Sequence, residues 1–290
     1  MPSWLSLWDY SDPVASEVRL GEAAEAATDP DEELVLLTQV ARARGLQKHY
    51  EAAQDSLDLV EMSLPEGDAP SRFYWLLETG RVLRSSGRPH ESRPWFEAAQ
   101  GMAERLGLEH GAIDAAHMVA LVAPPEEALD LHDRAIALAN EATDPAARRW
   151  RASLLNNQAW TRFERGEHEL ALALFAQAVG ARREMADEKG LAIAQWCHAR
   201  CLRELGQNDE AWAIQQVLHS TGEADGFVAE ELALLSELRG DMAVAQLHAF
   251  EAITLLKAMD PEWPQQEPER FARLQSLQDG IPTIKSEPST

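Results

Sequence analysis

The sequence predicts an all-α protein built from about six stacked helical hairpins, with capping helices at both ends. Strand signals are nearly absent, since β-branched residues are sparse and no Asn-Gly or Asp-Gly turn joins two alternating segments. Strong helix formers fill long windows, and the 3.6-residue period is clear in LVLLTQVARA and ELALALFAQAVGARREM. Helix breakers recur along the chain and mark the boundaries between successive helices: Asp29-Pro30, Pro65, Gly87, Pro124-Pro125, Asp144-Pro145, Gly166, Gly206, Gly240 and Asp260-Pro261.

Composition indicates a folded soluble protein and disfavours two classes of partner. Hydrophobic residues make up 45% of the 290 residues, and 26 Lys and Arg stand against 49 acidic residues, so the net charge is −23. That sign disfavours nucleic acid and anionic membranes as partners. The longest stretches without charge or proline, Leu170–Ala181 and Ala211–Gly222, have 12 residues each, and Ala115–Ala123 has 9; all are far shorter than the ~20 residues of a membrane span. No signal-peptide pattern opens the chain and its two cysteines cannot form a disulfide framework, so we expect a cytoplasmic protein.

An internal repeat is clearest in the segment NNQAWTRFERGEHELALALFAQAV. Its marker residues are Ala159 and Gly166, followed by Ala171, Phe175 and Ala178. The small residue of each second helix aligns six copies with spacings of 39, 36, 43, 40 and 34 residues: Ala53, Ser92, Ala128, Ala171, Ala211 and Ala245.

Close packing within a helical hairpin explains this template. Small residues on the two helices let their backbones approach, and the intervening glycine ends the first helix in a left-handed conformation. The aromatic residue that follows fills the wedge between neighbouring hairpins. Two copies depart from the pattern, because His132 and Gln215 stand where the template has Phe, and the first copy lacks the turn glycine.

The pattern resembles the tetratricopeptide repeat (TPR) family over roughly residues 33–260, and specifically its longer-repeat branch, which includes kinesin light chains and bacterial regulatory proteins. The resemblance implies a right-handed α-α superhelix whose first helices line a concave groove. We therefore predict an acidic N-terminal capping segment over residues 1–32 and the repeat array over 33–260. A C-terminal capping helix is predicted over 261–279, and a disordered tail over 280–290.

No catalytic motif is present: the sequence has no phosphate-binding glycine loop, no GxSxG and no HExxH. We expect no enzyme activity, no cofactor and no metal site. Cys197 and Cys201 lie four residues apart on one helical face, which permits a shared metal, but buried apolar cysteines are the favoured interpretation.

The resemblance also selects candidate residues for a peptide-binding groove. Aromatic and arginine side chains, which are enriched at binding hot spots, collect on the face of the first helices that the family turns toward the groove. Asn157 falls where family members often place an asparagine that binds the ligand backbone, and the arginines would pair with ligand carboxylates. The alternative is that these arginines pair with neighbouring acidic residues. The predicted groove residues are Tyr74, Arg81, Arg84, His117, Asn157, Trp160, Trp196, Arg200 and Arg203.

The functional prediction is a non-enzymatic scaffold or adaptor that binds a peptide segment of a partner protein in its concave groove. The alternative is a regulatory or sensory TPR protein that responds to a small peptide or metabolite. The expected partner is a protein or peptide, with no nucleic acid and no membrane, and the sequence leaves the oligomeric state open.

Overall fold

The computed structural model describes residues 3–283, and within that range the chain is helical without a strand. It contains one 3₁₀-helix and sixteen α-helices. They are η1 (Ser3–Leu7), α1 (Pro13–Ala26), α2 (Pro30–Leu46), α3 (Tyr50–Glu61), α4 (Pro70–Ser85), α5 (Pro89–Leu106), α6 (Glu109–Val122), α7 (Pro125–Glu141), α8 (Pro145–Arg148), α9 (Trp150–Glu164), α10 (His168–Glu184), α11 (Glu188–Glu204), α12 (Asn208–Thr221), α13 (Gly226–Leu238), α14 (Met242–Met259), α15 (Trp263–Gln266) and α16 (Pro268–Gln278).

Six helical hairpins account for most of these elements: α2–α3, α4–α5, α6–α7, α9–α10, α11–α12 and α13–α14. Helix α1 packs on α2, and α16 packs on α14, so each end carries the predicted capping helix. The predicted all-α, TPR-like solenoid of about six hairpins is confirmed. Within the described residues, every helix is too short or too polar to cross a bilayer.

The repeat template is visible in the packing of each hairpin. All six aligned small residues of the second helices are buried, and Phe96 and Phe175 are fully buried. A Cβ atom on Gly80 of α4 would lie 2.5 Å from the Phe96 ring, so the absence of a side chain there lets the ring pack against the first helix of its own hairpin. The same ring lies in a core cluster with residues of α4 and α6, and therefore also fills the space between hairpins.

Two polar residues occupy the aromatic position of the template, and both are buried. Gln215 is fully buried, and neither atom of its side-chain amide has a hydrogen-bond partner among the described residues. Burial also lowers the pKa of His132 below the ordinary histidine value. These two repeats therefore keep the geometry of the template although their chemistry departs from it.

The turns between helices have the predicted left-handed residues. Gly87, Gly166, Gly206 and Gly240 have φ angles of 88°, 75°, 74° and 78°. The first repeat, which lacks the glycine, places Lys48 at φ 64° instead. The turn thus requires a left-handed backbone conformation, and Lys48 adopts it at a steric cost that glycine avoids.

The chain forms two compact units, one ending at Leu154 and one beginning at Leu155, so the boundary falls inside α9. The domain boundaries predicted from sequence remain predictions. Of the predicted tail, residues 284–290 lie outside the described residues. Thr283, at the end of the described range, donates from its Oγ1 to Glu237 Oε2 at 2.8 Å.

Candidate functional site

In the first unit, the predicted groove residue Arg81 lies in a buried charge network that joins three first helices. Arg81 Nη1 donates to Glu78 Oε1 at 2.5 Å on α4, and Arg81 Nη2 donates to Asp114 Oδ1 on α6. Arg42 of α2 lies 3.8 Å from the same Glu78 oxygen, and the Glu78 side chain has no exposed surface. We call this set of four residues the charge network.

The charge network is internally compensated. Burial by itself would raise the pKa of Asp114, but the positive charges of Arg81 and Arg42 act more strongly, and the pKa lies below the ordinary aspartate value. Arg81 contacts two carboxylates and its side chain is only 14% exposed. Arg81 is therefore paired internally. One of its partners, Glu78, lies on the same helix, and the other, Asp114, lies on α6.

The N-terminal residues of the chain cover this part of the first unit. Trp4 of η1 is buried and packs edge-on against Tyr74, with ring centroids 5.3 Å apart. The Arg42 guanidinium lies 5.5 Å from the Trp8 ring and 5.4 Å from the Tyr10 ring. Burial raises the pKa of Tyr74 well above its usual range. The aromatic residues near the N-terminus thus lie against the predicted groove residue Tyr74 and against Arg42 of the charge network.

The other two predicted residues of the first unit differ in exposure. His117 is buried, with its ring centroid 5.5 Å from Trp150 and 6.4 Å from His132. Burial lowers the pKa of His117 to about 4, so the imidazole is neutral at neutral pH. Arg84, three residues beyond Arg81 on the same helix, is exposed.

In the second unit, four aromatic side chains form a continuous row across α9, α11 and α13. Trp160 lies 5.1 Å from Phe163 and 6.1 Å from Trp196, and Trp196 lies 5.8 Å from Phe227, measured between ring centroids. The Trp196 Nε1–H donates to the backbone oxygen of Phe227 at 3.2 Å, which fixes the indole. All four residues are half-buried, so each keeps part of its surface in solvent. We call them the aromatic row.

Arg200 stacks on the aromatic row. Its guanidinium carbon is 5.5 Å from the Trp160 and Trp196 rings. The side chain is 33% exposed, and its nearest carboxylate oxygen, on Glu231, is 3.9 Å from Nε, beyond hydrogen-bond range. The buried Nε has no hydrogen-bond partner among the described residues.

Two further arginines of the second unit are paired internally. Arg203 donates to both carboxylate oxygens of Glu231, at 2.7 and 3.1 Å, and is 9% exposed. Arg270 of α16 pairs with Glu230 and stacks on Phe227 at 5.1 Å. Sequence reasoning missed Glu231 and Arg270, because no repeat position marks a partner that lies on another helix.

The remaining predicted residues of this unit lie near the aromatic row. Asn157 is half-buried on α9, one turn before Trp160. Cys197 and Cys201 are buried in the core cluster beneath the row, and burial raises the pKa of each thiol to about 11. The predicted burial of both cysteines is confirmed.

Comparison with known proteins bears on the fold alone. No protein-family profile and no curated protein matches the sequence. The apo form of RapI superimposes with a TM-score of 0.68 at 12% identity, over 94% of this chain and 84% of that chain. The apo quorum sensor NprR from B. thuringiensis gives 0.61 at 14% identity, over 92% and 83%. A tetratricopeptide repeat protein from Parabacteroides merdae gives 0.54 at 14% identity, over 94% and 95%.

The fold is that of the tetratricopeptide repeat proteins. The resemblance inferred from the repeat template is therefore confirmed at the level of the fold. Within the first unit, Tyr74, Arg81 and His117 are packed or internally paired and Arg84 is exposed. Within the second unit, Trp160, Trp196 and Arg200 are partly exposed and Arg203 is paired with Glu231.

Proposed function

We propose that this protein binds a peptide segment of a partner protein, and that the aromatic row together with Arg200 is the principal contact surface. The observation that carries the proposal is the half-exposed row of four aromatic rings with an arginine stacked on it. Tryptophan and arginine are the residue types that contribute most to binding hot spots. No chemical step is needed for this role.

The rigidity of the aromatic row favours binding. The Trp196 indole is held by its hydrogen bond to Phe227, and the Trp160 ring packs on the buried Phe175 at 5.2 Å. Side chains that are already ordered lose little conformational entropy when a ligand binds, so more of the contact energy contributes to affinity.

Arg200 sets the chemistry of the ligand. Arg203 and Arg270 are hydrogen-bonded to carboxylates of the chain. Arg200 has only the Glu231 carboxylate nearby, at 3.9 Å and already bonded by Arg203, and it keeps a third of its surface in solvent. A stacked guanidinium of this kind presents its remaining N–H groups to a carboxylate. We therefore propose a ligand segment with one acidic group flanked by apolar side chains. The net charge of −23 favours a partner that is basic elsewhere.

The test is a selection from a phage-displayed random peptide library against the full-length protein, followed by affinity measurement on the enriched peptides. We expect enriched peptides to combine an acidic residue with apolar neighbours. Arg200→Gln should weaken their binding by about 10-fold to 100-fold, the value of a hydrogen bond between charged groups. Arg183→Gln, an exposed arginine on α10 of the same unit, is the matched control and should bind normally.

Two results contradict the proposal. One is an absence of enriched peptides with the wild-type protein. The other is equal affinity of the enriched peptides for the wild type and for Arg200→Gln, with the variant folded by circular dichroism.

A sensory role is the second candidate, and the likeness to the quorum sensor NprR supports it. In that case the ligand of the aromatic row is a free small peptide or metabolite, and the protein responds by a change in conformation. A free ligand that binds only the folded state raises the melting temperature, by an amount that grows with the ligand concentration relative to its Kd. The shift in melting temperature is measured with short free peptides and with the same sequences displayed in a folded carrier protein. A scaffold should bind both forms, whereas a sensor should bind only the free peptide.

A further inference from the structure

A cluster of two histidines and a glutamate lies in the second unit, away from the residues of the aromatic row. His219 is in the last turn of α12, and His248 and Glu251 are on α14. His219 Nε2 lies 3.0 Å from both carboxylate oxygens of Glu251, and His248 Nδ1 lies 3.3 Å from one of them. One atom from each of the three residues falls within 4.8 Å of the other two.

These separations match a set of metal ligands. Ligands that surround Zn²⁺ tetrahedrally at about 2.0–2.1 Å lie about 3.3 Å from one another. The two histidine–glutamate distances are already close to that value. Two imidazoles and a carboxylate form a known zinc ligand set, and imidazole favours Zn²⁺ and its neighbours over Mg²⁺ and Ca²⁺.

The cluster is also accessible and already ordered. The side chains are 31%, 14% and 33% exposed for His219, His248 and Glu251, so an ion can enter without opening the core. The two imidazole rings stand perpendicular, with centroids 5.2 Å apart, and converge on the shared carboxylate. Little rearrangement is needed to replace the two hydrogen bonds with metal–ligand bonds.

We propose that His219, His248 and Glu251 bind a divalent ion of the zinc class, which joins α12 to α14. His219 Nε2, His248 Nδ1 and a Glu251 oxygen are the protein ligands, and a fourth position is open to water. Because the ligands come from two hairpins, the ion ties one repeat to the next. Sequence reasoning missed the cluster, since the two histidines are 29 positions apart in the sequence.

The test uses the tag-free full-length protein, stripped with a chelator and titrated calorimetrically with ZnCl₂. Excess Mg²⁺ in the buffer competes with Zn²⁺ for weak binding to the other carboxylates of the chain. We expect one equivalent of Zn²⁺ to bind and to raise the melting temperature. The double variant His219→Gln/His248→Gln should bind zinc about 100-fold more weakly, because a single carboxylate is a poor zinc site. His90→Gln, an exposed histidine in α5, is the control and should bind as the wild type does.

Co²⁺ gives a readout on the wild-type chain that does not depend on how the variants fold. Cobalt held by these ligands in four-coordinate geometry absorbs visible light far more strongly than hexa-aqua cobalt. Zinc binding of unchanged affinity in the folded double variant overturns the proposal, and so does a Co²⁺ spectrum in the wild type identical to that of the free ion.

Discussion

The charge network leads us to predict that alanine substitutions of Arg81 and Arg84, which are one helical turn apart on α4, affect the unfolding free energy very differently. Arg81→Ala removes the guanidinium that pairs with Glu78 and Asp114 and leaves two buried carboxylates without their main counter-charge. Arg84→Ala removes an exposed side chain that pairs with no carboxylate among the described residues. The two substitutions are identical in chemistry and differ only in what the side chain contacts.

The expected magnitudes follow from burial. Glu78 has no exposed side-chain surface and Asp114 has 6%, so loss of their partner should cost about 3–5 kcal/mol of unfolding free energy. Arg84→Ala should change the free energy of unfolding by less than about 0.5 kcal/mol, as is usual for an exposed position. Urea denaturation followed by circular dichroism measures both values.

The stabilisation by the Arg81–Asp114 ion pair should depend on pH. The pKa of Asp114 is lowered in the folded state, so its ion pair stabilises the protein above the unfolded aspartate pKa and the stabilisation is lost as the pH falls through the folded value. The cost of Arg81→Ala should therefore shrink below about pH 4. If the unfolding free energies of Arg81→Ala and Arg84→Ala differ by less than about 1 kcal/mol at neutral pH, the reasoning is refuted.

Three further predictions concern stability and are measured by denaturation. Gln215→Met should raise the unfolding free energy by about 1–3 kcal/mol, because it keeps the volume and removes a buried amide without a partner; a decrease would mean that the amide is satisfied. The His117 pKa of about 4 lies below the unfolded value, so its neutral form contributes stability that is lost as the pH falls below about 6.5. Between pH 7.5 and 5.5 this contribution of His117 falls by about 1 kcal/mol. The unfolding free energy should therefore depend less on pH, by that amount, in His117→Gln, and should keep its wild-type pH dependence in His90→Gln. Lys48→Gly should stabilise, and Gly206→Ala destabilise, by about 0.5–1 kcal/mol each; the opposite signs would exclude left-handed strain as the cause.

The fold was predictable because its information is local and repeated. Helical period, the small residue of each second helix and the turn glycine are all read within one repeat, and Gly87, Gly166 and Gly240 have the φ angles that the template requires. The exception in repeat one was also visible, since a missing glycine leaves Lys48 in the same conformation.

The candidate site was predictable only in part. The helical period placed Trp160, Trp196 and Arg200 on one face, and they do meet there. It did not indicate that Arg200 lacks a hydrogen bond whereas Arg203 is paired with Glu231, because that difference depends on a side chain 28 residues away.

By itself, the sequence determined the class of fold, the number of hairpins and the face on which aromatic and basic residues collect. These properties follow from propensity and periodicity, which act within a few helical turns. Tertiary structure decided which charges are already satisfied: Arg81 bridges to Asp114 across 33 residues, and Trp4 covers Tyr74 across the first hairpin. Electrostatic pairing and burial depend on distances in space, so only the packed chain separates partly exposed arginines such as Arg200 from those that are paired with buried carboxylates.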